Sequence, residues 1–479
     1  MSVARNTIYN VGGFVLPMAV SLLTIPIYIA TIGLERYGVL AVVWALLAYF
    51  SFCDLGFGRA LTQRMSRLSS ASESERSVLL WTALIATCCL GSAAALIGWV
   101  LVDIVLPLFG GIADSNRSQA VSAVAWLLMA LPILIPISAL TGALQARGRF
   151  AEINIVQIAG SIATQLFPLG VALLGYTDVT ALVPAALVSR LAVVGLLFGL
   201  CRRHVPLVPG RVFSMEYMAS MLSYGGWVSV MAVLAPLLVT VDRLVIASVS
   251  GARAVTVYTI PFDLVSKSQA VSTSLANAIF PRLASTSASE SEELAHRAAA
   301  ALIAVMSPLV VAGLLFVHPA ISIWLGRDFA SDSSGVAEII LFGVWVNSLV
   351  IPHHARYMAT RNPRNIAIIY LLEIPIYFLM LYILLTKFGI IGAALAWSGR
   401  IVMDTTALLI LNGAFLKTIR ISLVPFLLVS SAFFLSFERF TSAVLHWAMG
   451  SAVLILVLYI GRGTLVTGLK SMSRRTAAA

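Results

Sequence analysis

The sequence predicts an all-α polytopic membrane protein. It has about fourteen transmembrane helices, arranged as two six-helix lobes in parallel repeat plus two extra helices at the C-terminal end. Three observations predict this. Of 479 residues, 60% are hydrophobic and only 11% charged, with mean hydropathy +0.98, whereas a soluble domain carries about 25% charged residues. Apolar runs of the ~20 residues needed to cross a bilayer recur along the whole chain between short basic connections. Finally, a series of local similarities returns in the same order at a nearly constant offset.

The runs lie near 8–30, 38–60, 78–106, 121–145, 151–174, 179–201, 219–248, 254–281, 298–317, 335–360, 365–386, 389–415, 420–437 and 441–461. A lipid-exposed segment must satisfy its backbone polar groups internally, and the alternation of a membrane barrel is absent, so the runs are helices. The first follows Arg5 and lacks a small-residue cleavage site, which makes it a retained span. The third and ninth are each opened by the hexapeptide SASESE, at 70–75 and 287–292. There Ser70-x-x-Glu73 and Ser287-x-x-Glu290 fit capping boxes, which occupy the free N–H groups of a helix start.

The following elements repeat as well. LFG at 108–110 precedes the fourth run and WLG at 324–326 precedes the tenth, and Pro136 and Pro352 follow these glycines at the same spacing. ALQARGR at 143–149 resembles YMATRNPR at 357–364, and AALVSRLAVVGLL around Arg190 resembles LAWSGRIVMDTTALL around Arg400. The offsets run from 210 to 217. Six helices per copy is an even number, so both copies enter the membrane the same way, the parallel-repeat arrangement of alternating-access transporters. The last two runs, parted only by FERFTS, have no counterpart. The expected organisation is therefore an N-terminal lobe at 1–210, a C-terminal lobe at 211–417, and two additional helices with a basic tail at 418–479.

Lys and Arg orient the chain. On the side of the N-terminus the connections hold 21 basic residues and on the other side 6. Both termini are expected in the cytoplasm. The net charge of +11 then reflects topology and attraction to anionic lipid, not nucleic-acid binding. Tyr28, Trp324 and Trp447 lie near span ends, where interface anchoring is the default role. Cys53, Cys88, Cys89 and Cys201 lack metal-ligand spacing and are read as packing residues. The adjacent His353 and His354 diverge on a helix, so no metal site is expected there, and no cofactor or nucleotide-binding loop is expected anywhere.

Several motifs resemble one family. NTIYNVGGFVLPMAVSLLTIPIYIATIGLERYGVLAV and DLGFGRALTQR at 54–64, then VDRLVIASVSGARAVTVYTIPFDLVSK at 241–267, ISIWLGRDF at 321–329 and FGIIGAALAWSGR at 388–400, are similar to the Wzx-type polysaccharide transporters. These are the O-antigen and exopolysaccharide flippases of the multidrug/oligosaccharidyl-lipid/polysaccharide (MOP) exporter superfamily. The resemblance implies two lobes forming a V around a central cavity, and a non-enzymatic role. The implied function is to turn an undecaprenyl-diphosphate-linked oligosaccharide from the inner to the outer leaflet, for lipopolysaccharide or exopolysaccharide synthesis. It implies residence in the bacterial cytoplasmic (inner) membrane, with lipid-linked oligosaccharide, membrane lipids and the polysaccharide polymerase machinery as partners. A multidrug or cation exporter of the same fold is the alternative, disfavoured by the lack of an acid in 8–30. A membrane polymerase or ligase is a third reading, and it lacks the large outer loop such enzymes need.

Charges at membrane depth are the candidate site, because a central Arg, Lys or Asp costs about 2.5–3.5 kcal/mol on insertion scales. Substrate contacts are expected from Arg190, Arg400, Lys267, Arg243 and Asp242, and ion coupling from Glu373, Asp263 and Asp404. Asp54, Arg59 and Asp103 lie near span ends and are read as structural. Asp263/Lys267 and Arg400/Asp404 are spaced i,i+4 and suit intrahelical ion pairs, which also leaves open mere self-neutralisation. Glu373 has no basic residue in the four positions after it and precedes Pro375, which makes it the leading acid for coupling. Arg190 has no acid within four residues. With Arg400 as its counterpart, it is expected to grip the diphosphate, since a guanidinium offers phosphate a planar fork. Fastening to a distant acid such as Asp242 is the competing role.

Overall fold

The computed structural model describes residues 3–50, 54, 56–67, 73–105, 114–205, 212–361, 364–437 and 447–462. Among these there is no strand. The helices are α1 (Val3–Phe50), α2 (Phe57–Arg67), α3 (Glu73–Val105), α4 (Asp114–Leu134), α5 (Pro136–Ala146), α6 (Phe150–Leu173), α7 (Val179–His204), α8 (Met215–Ser266), α9 (Gln269–Ser285), α10 (Ala288–Leu325), α11 (Arg327–Thr360), α12 (Arg364–Leu411), α13 (Phe415–Phe437) and α14 (Trp447–Arg462).

Among the described residues, ten helices are long and apolar enough to cross a membrane by length and composition. Three helices are too long for one crossing: α1 and α12 have 48 residues and α8 has 52, or about 70–80 Å at 1.5 Å per residue. Each is interrupted by one glycine in the left-handed region: Gly33 (φ 78°), Gly251 (φ 81°) and Gly389 (φ 59°). Only glycine adopts such angles freely. At two of these points the chain visibly doubles back, since the Tyr28 and Trp44 rings meet edge-on at 5.6 Å across Gly33 and Arg400 reaches Glu373 across Gly389. Counting the halves of these three separately, with the shorter α14, gives the fourteen spans of the sequence. The interruptions obey the duplication too. Gly33 of the first copy corresponds to Gly251 of the second, and Gly175 (φ 98°), between α6 and α7, corresponds to Gly389, at nearly the offset of the sequence repeats.

The chain divides into two compact units, Met1–Thr256 and Val257–Ala479. The division falls inside α8, because its segment up to Thr256 packs on α1. A Cβ on Gly38 would meet the Ala252 carbonyl oxygen at 1.9 Å, and the Thr256 hydroxyl donates to the Leu34 carbonyl. Close approach of small residues is how helices associate where lipid tails remove the hydrophobic incentive. The contact of α2 with α5 has the same character, with a Gly142 Cβ only 2.4 Å from the Gly58 oxygen and Thr62 Oγ1 donating to Gly58 and Gly142 oxygens at 2.9 and 3.0 Å. Asp54 starts α2: its carboxylate accepts from the Gly56 and Gly58 N–H groups at 3.1 and 3.0 Å, the structural role read from the sequence. Phe57, Leu61, Leu79, Leu140, Leu144 and Leu197 form the apolar core around them.

In the second unit the Ser287–Glu290 capping box is formed at the start of α10. Its N-terminal twin involves Ser70, which lies outside the described residues, as do Cys53, the LFG at 108–110 and the tail beyond residue 462. The side chains of Arg59 and Asp103 lie outside them as well. Trp345 of α11 donates to Ser307 Oγ of α10 at 2.8 Å, and Ser398 of α12 donates to the Ile339 carbonyl of α11 at 2.9 Å. At the basic end, Glu292 of α10 meets Lys417 at 2.7 Å and Arg356 at 3.4 Å, tying α13 to α10 and α11. His353 is fully buried there, with Nε2 3.3 Å from Thr418 Oγ1. Leu96, Val100, Leu174 and Ile323 are exposed apolar side chains of the kind a bilayer covers.

Candidate functional site

Arg190 lies about three turns into α7, which starts at Val179. That is about 17 Å along a helix and near the middle of a ~30 Å hydrocarbon layer. It is half-buried, its neighbour Ser189 bonds Thr164 of α6 at 2.8 Å, and its Nε has no hydrogen-bond partner. Arg190 forms no ion pair among the described residues. Its proposed fastener does something else: Asp242 of α8 is fully buried and accepts the Arg243 backbone N–H at 2.7 Å. A buried guanidinium without a carboxylate carries an uncompensated charge, and an anion would remove that cost.

The second unit holds a different arrangement. The two halves of α12 run antiparallel from Gly389, with Glu373 on the arm before it and Arg400 and Asp404 on the arm after it. Glu373 and Asp404 are almost equally far from Gly389 along the chain. The fold-back therefore sets these two acids at one level, and all three side chains are buried, at 4, 5 and 7% exposure for Glu373, Arg400 and Asp404. Arg400 Nη1 lies 3.8 Å from Glu373 Oε2, the Asp404 carboxyl adjoins that of Glu373, and the Tyr377 ring sits 5.4 Å from the guanidinium carbon. The ion pair that forms thus crosses the hairpin, where the i,i+4 rule pointed only to Asp404. Glu373 does have a basic partner, on the far arm of the hairpin.

The remaining candidates are dispersed. Lys267 occupies the turn between α8 and α9, within electrostatic reach of Asp263. Asp242 and Arg243 are consecutive residues of α8 in the first unit. Among the described residues no cluster of His, Cys, Asp and Glu could hold a metal ion. Cys201 is buried, with Sγ 3.3 Å from the Leu140 carbonyl oxygen, as a packing residue would be. Sequence reasoning misses Tyr377 as part of the charged cluster. Its only signal there is its place one helical turn after Glu373.

The family described as "Polysaccharide biosynthesis protein" matches residues 3–287, more than half of the chain. The chain belongs to this family. A curated protein of Shigella flexneri, "Putative O-antigen transporter", is 23% identical, over 85% of this chain and 97% of that protein. Among solved structures, "Lipid II flippase MurJ, inward closed conformation" superposes with TM-score 0.73 at 15% identity, covering 97% of this chain and 99% of that one. A "multidrug resistance MATE family transporter of the MOP superfamily" in an inward-facing conformation gives 0.67 at 16% identity, with 85% and 95% covered. At such identities the structures establish a common fold. This family member is a multi-pass membrane protein with the MOP-transporter fold.

Proposed function

We propose that the chain flips an undecaprenyl-diphosphate-linked oligosaccharide from the inner to the outer leaflet of the bacterial cytoplasmic membrane, by alternating access and with both termini cytoplasmic. Family membership and the O-antigen transporter relative support a polysaccharide substrate over a drug. The observation that carries the lipid-diphosphate reading is Arg190, a mid-membrane guanidinium with no acid among the described residues to neutralise it. Phosphate oxygens suit its planar fork, and a site stripped of water needs such donors to replace the anion's hydration. Arg400 is the corresponding cation of the second unit, with Lys267, Arg243 and Asp242 as further polar contacts for the carrier. Glu373, Asp263 and Asp404 are the acids available to couple an ion. Polysaccharide polymerase machinery would take the product on the outer face.

The MATE likeness supports a second reading, export of organic cations by the same fold. Gene deletion separates the two. A flippase deletion loses surface glycan and accumulates its lipid-linked precursor inside, and the defect is restored by the wild-type chain but not by Arg190→Ala. A drug exporter deletion leaves surface glycan intact and sensitises the cell to cationic dyes, and that outcome would overturn the proposal.

A further inference from the structure

We propose that the inner-leaflet end of the second unit holds one anionic phospholipid, with its phosphate on Lys417 and Arg356 and one acyl chain in the groove between α10, α13 and α14. The choice of leaflet rests on the cytoplasmic placement of both termini proposed above. The identity of the transported substrate does not enter.

Two helical stripes join a polar mouth to an apolar groove. On α10, Glu292 and His296 are followed at four-residue steps by Ala300 and Ala304, and then by Ser307. On α13, Lys417 is followed by Ile421, Val424 and Leu428. Residues three and four apart share a helix face, so mouth and groove lie in line. The groove has a volume of about 300 Å³, and Val457 and Gly461 of α14 close its far side. There the helices nearly touch, since a Cβ on Gly461 would stand 2.8 Å from the Ala304 carbonyl oxygen. Ser307 brings the one polar side chain of the lining, and it is already engaged. Its hydroxyl donates to the Ile303 carbonyl at 2.6 Å and accepts from the Trp345 indole at 2.8 Å. The groove is therefore a site for hydrocarbon. It ends at Ser307, nine residues beyond Ala298, where the apolar run of α10 begins. That is about 14 Å along the helix, or half of the ~30 Å hydrocarbon layer. A chain anchored at the mouth thus reaches the midplane, as a lipid of one leaflet does.

The mouth carries the charge that selects the headgroup. Glu292 sits between Lys417 at 2.7 Å and Arg356 at 3.4 Å, which leaves one positive charge in excess. Glu293 and Arg297 beside it neutralise each other, and the exposed Arg420, one turn further along α13, adds to the surplus. A phosphodiester brings a single negative charge and matches that surplus, whereas a zwitterionic headgroup also brings a cation of its own. Donors are available for it. Lys417 is 63% exposed, and its ammonium has three N–H groups, of which Glu292 takes one. Behind it, Arg356 Nη1 is buried with no hydrogen-bond partner among the described residues. A phosphate oxygen reaching past Glu292 supplies the acceptor that this nitrogen lacks.

The test titrates the purified full chain in detergent with phosphatidylglycerol or phosphatidylcholine of the same acyl chains, and reads bound lipid by native mass spectrometry. The tightest site should prefer phosphatidylglycerol. Lys417→Gln should weaken it about fivefold, the factor of one cation beside anionic lipid, and leave phosphatidylcholine unchanged. Ala300→Phe fills the groove and should weaken both lipids. Phosphatidylglycerol with a diazirine on its acyl chain should label segments 300–307 and 421–428 of the wild type on irradiation, and this arm decides by itself if a variant fails to fold. Displacement by millimolar inorganic phosphate would reveal a free-phosphate site, and displacement by undecaprenyl phosphate at equal concentration would assign the groove to the carrier; either overturns the proposal. So does a tightest site without headgroup preference, a preference untouched by Lys417→Gln, phosphatidylglycerol binding untouched by Ala300→Phe, or label confined to other segments. Each of these results leaves the flippase reading standing.

Discussion

Replacing Arg400 by Met would leave Glu373 and Asp404 as adjacent acids in a buried site. The attraction lost can be worked from the 3.8 Å separation of Arg400 and Glu373. At an effective dielectric of 20 it is about 4 kcal/mol, partly offset by the cost of having desolvated both ions. Removing one partner of a buried pair typically costs about 3–5 kcal/mol, because the other charge is left uncompensated. Arg400→Met should therefore be strongly destabilised in an SDS-titration unfolding assay at neutral pH, as should Glu373→Gln to a smaller extent. The double variant should lose less than the sum of the singles, with a coupling of about 1.5–3 kcal/mol, the upper range for groups in contact. A coupling below about 0.5 kcal/mol would refute the contact across the α12 hairpin and every argument built on it.

Other outcomes follow from single contacts. Gly142→Ala places a Cβ 2.4 Å from the Gly58 carbonyl oxygen, an overpacking that should cost about 1–3 kcal/mol in thermal unfolding; an unchanged Tm would contradict the α2–α5 approach. Ser287→Ala removes the cap of α10 and should cost about 0.5–2 kcal/mol, whereas Ser287→Asp should keep most of it. Glu292→Gln breaks the exposed pair to Lys417 and takes the carboxylate from the buried Arg356, so it should cost more than the about 1 kcal/mol of a surface pair, with only the Lys417 share shrinking as salt rises. Accessibility tags at residues 70, 205 and 290 should report the cytoplasm, and tags at 114 and 330 the opposite face. Residues 70 and 290 on different faces would defeat the parallel repeat.

How far the sequence could be read depended on whether the physics was local. The capping box at Ser287 was legible because both partners lie within one helical turn, and the same is true of the spans, whose apolar length is written along the chain. The sequence divided its spans around Gly33 and Gly251 and just before Gly389, but it did not mark these glycines as the hinges, because a glycine carries no sign of its φ until the backbone turns there. The eighth span, expected at 254–281, is split by the turn at Lys267 into the end of α8 and α9, a break that apolar composition conceals. Arg190 stood out because nothing acidic was near it in sequence, and among the described residues it forms no ion pair in space either. Arg400 misled for the opposite reason. The i,i+4 rule sees one helix only and paired it with Asp404, whereas the fold-back at Gly389 delivered Glu373 from the opposite arm. Local rules identify which charges are present at depth; the hairpin decides which of them meet.

The central claim is that a mid-membrane guanidinium in this fold serves a lipid diphosphate. Proteoliposomes containing the purified chain and a fluorescent undecaprenyl-diphosphate oligosaccharide test it most directly, with membrane-impermeant reductant reporting how fast inner-leaflet label reaches the outside. Wild type should expose the label, Arg190→Lys should be slower because it keeps charge but loses the fork, and Arg190→Ala should be inactive at equal levels of inserted protein. Arg190→Ala flipping the lipid at the wild-type rate, or a wild type that moves cationic dyes and leaves the lipid in place, would contradict the account.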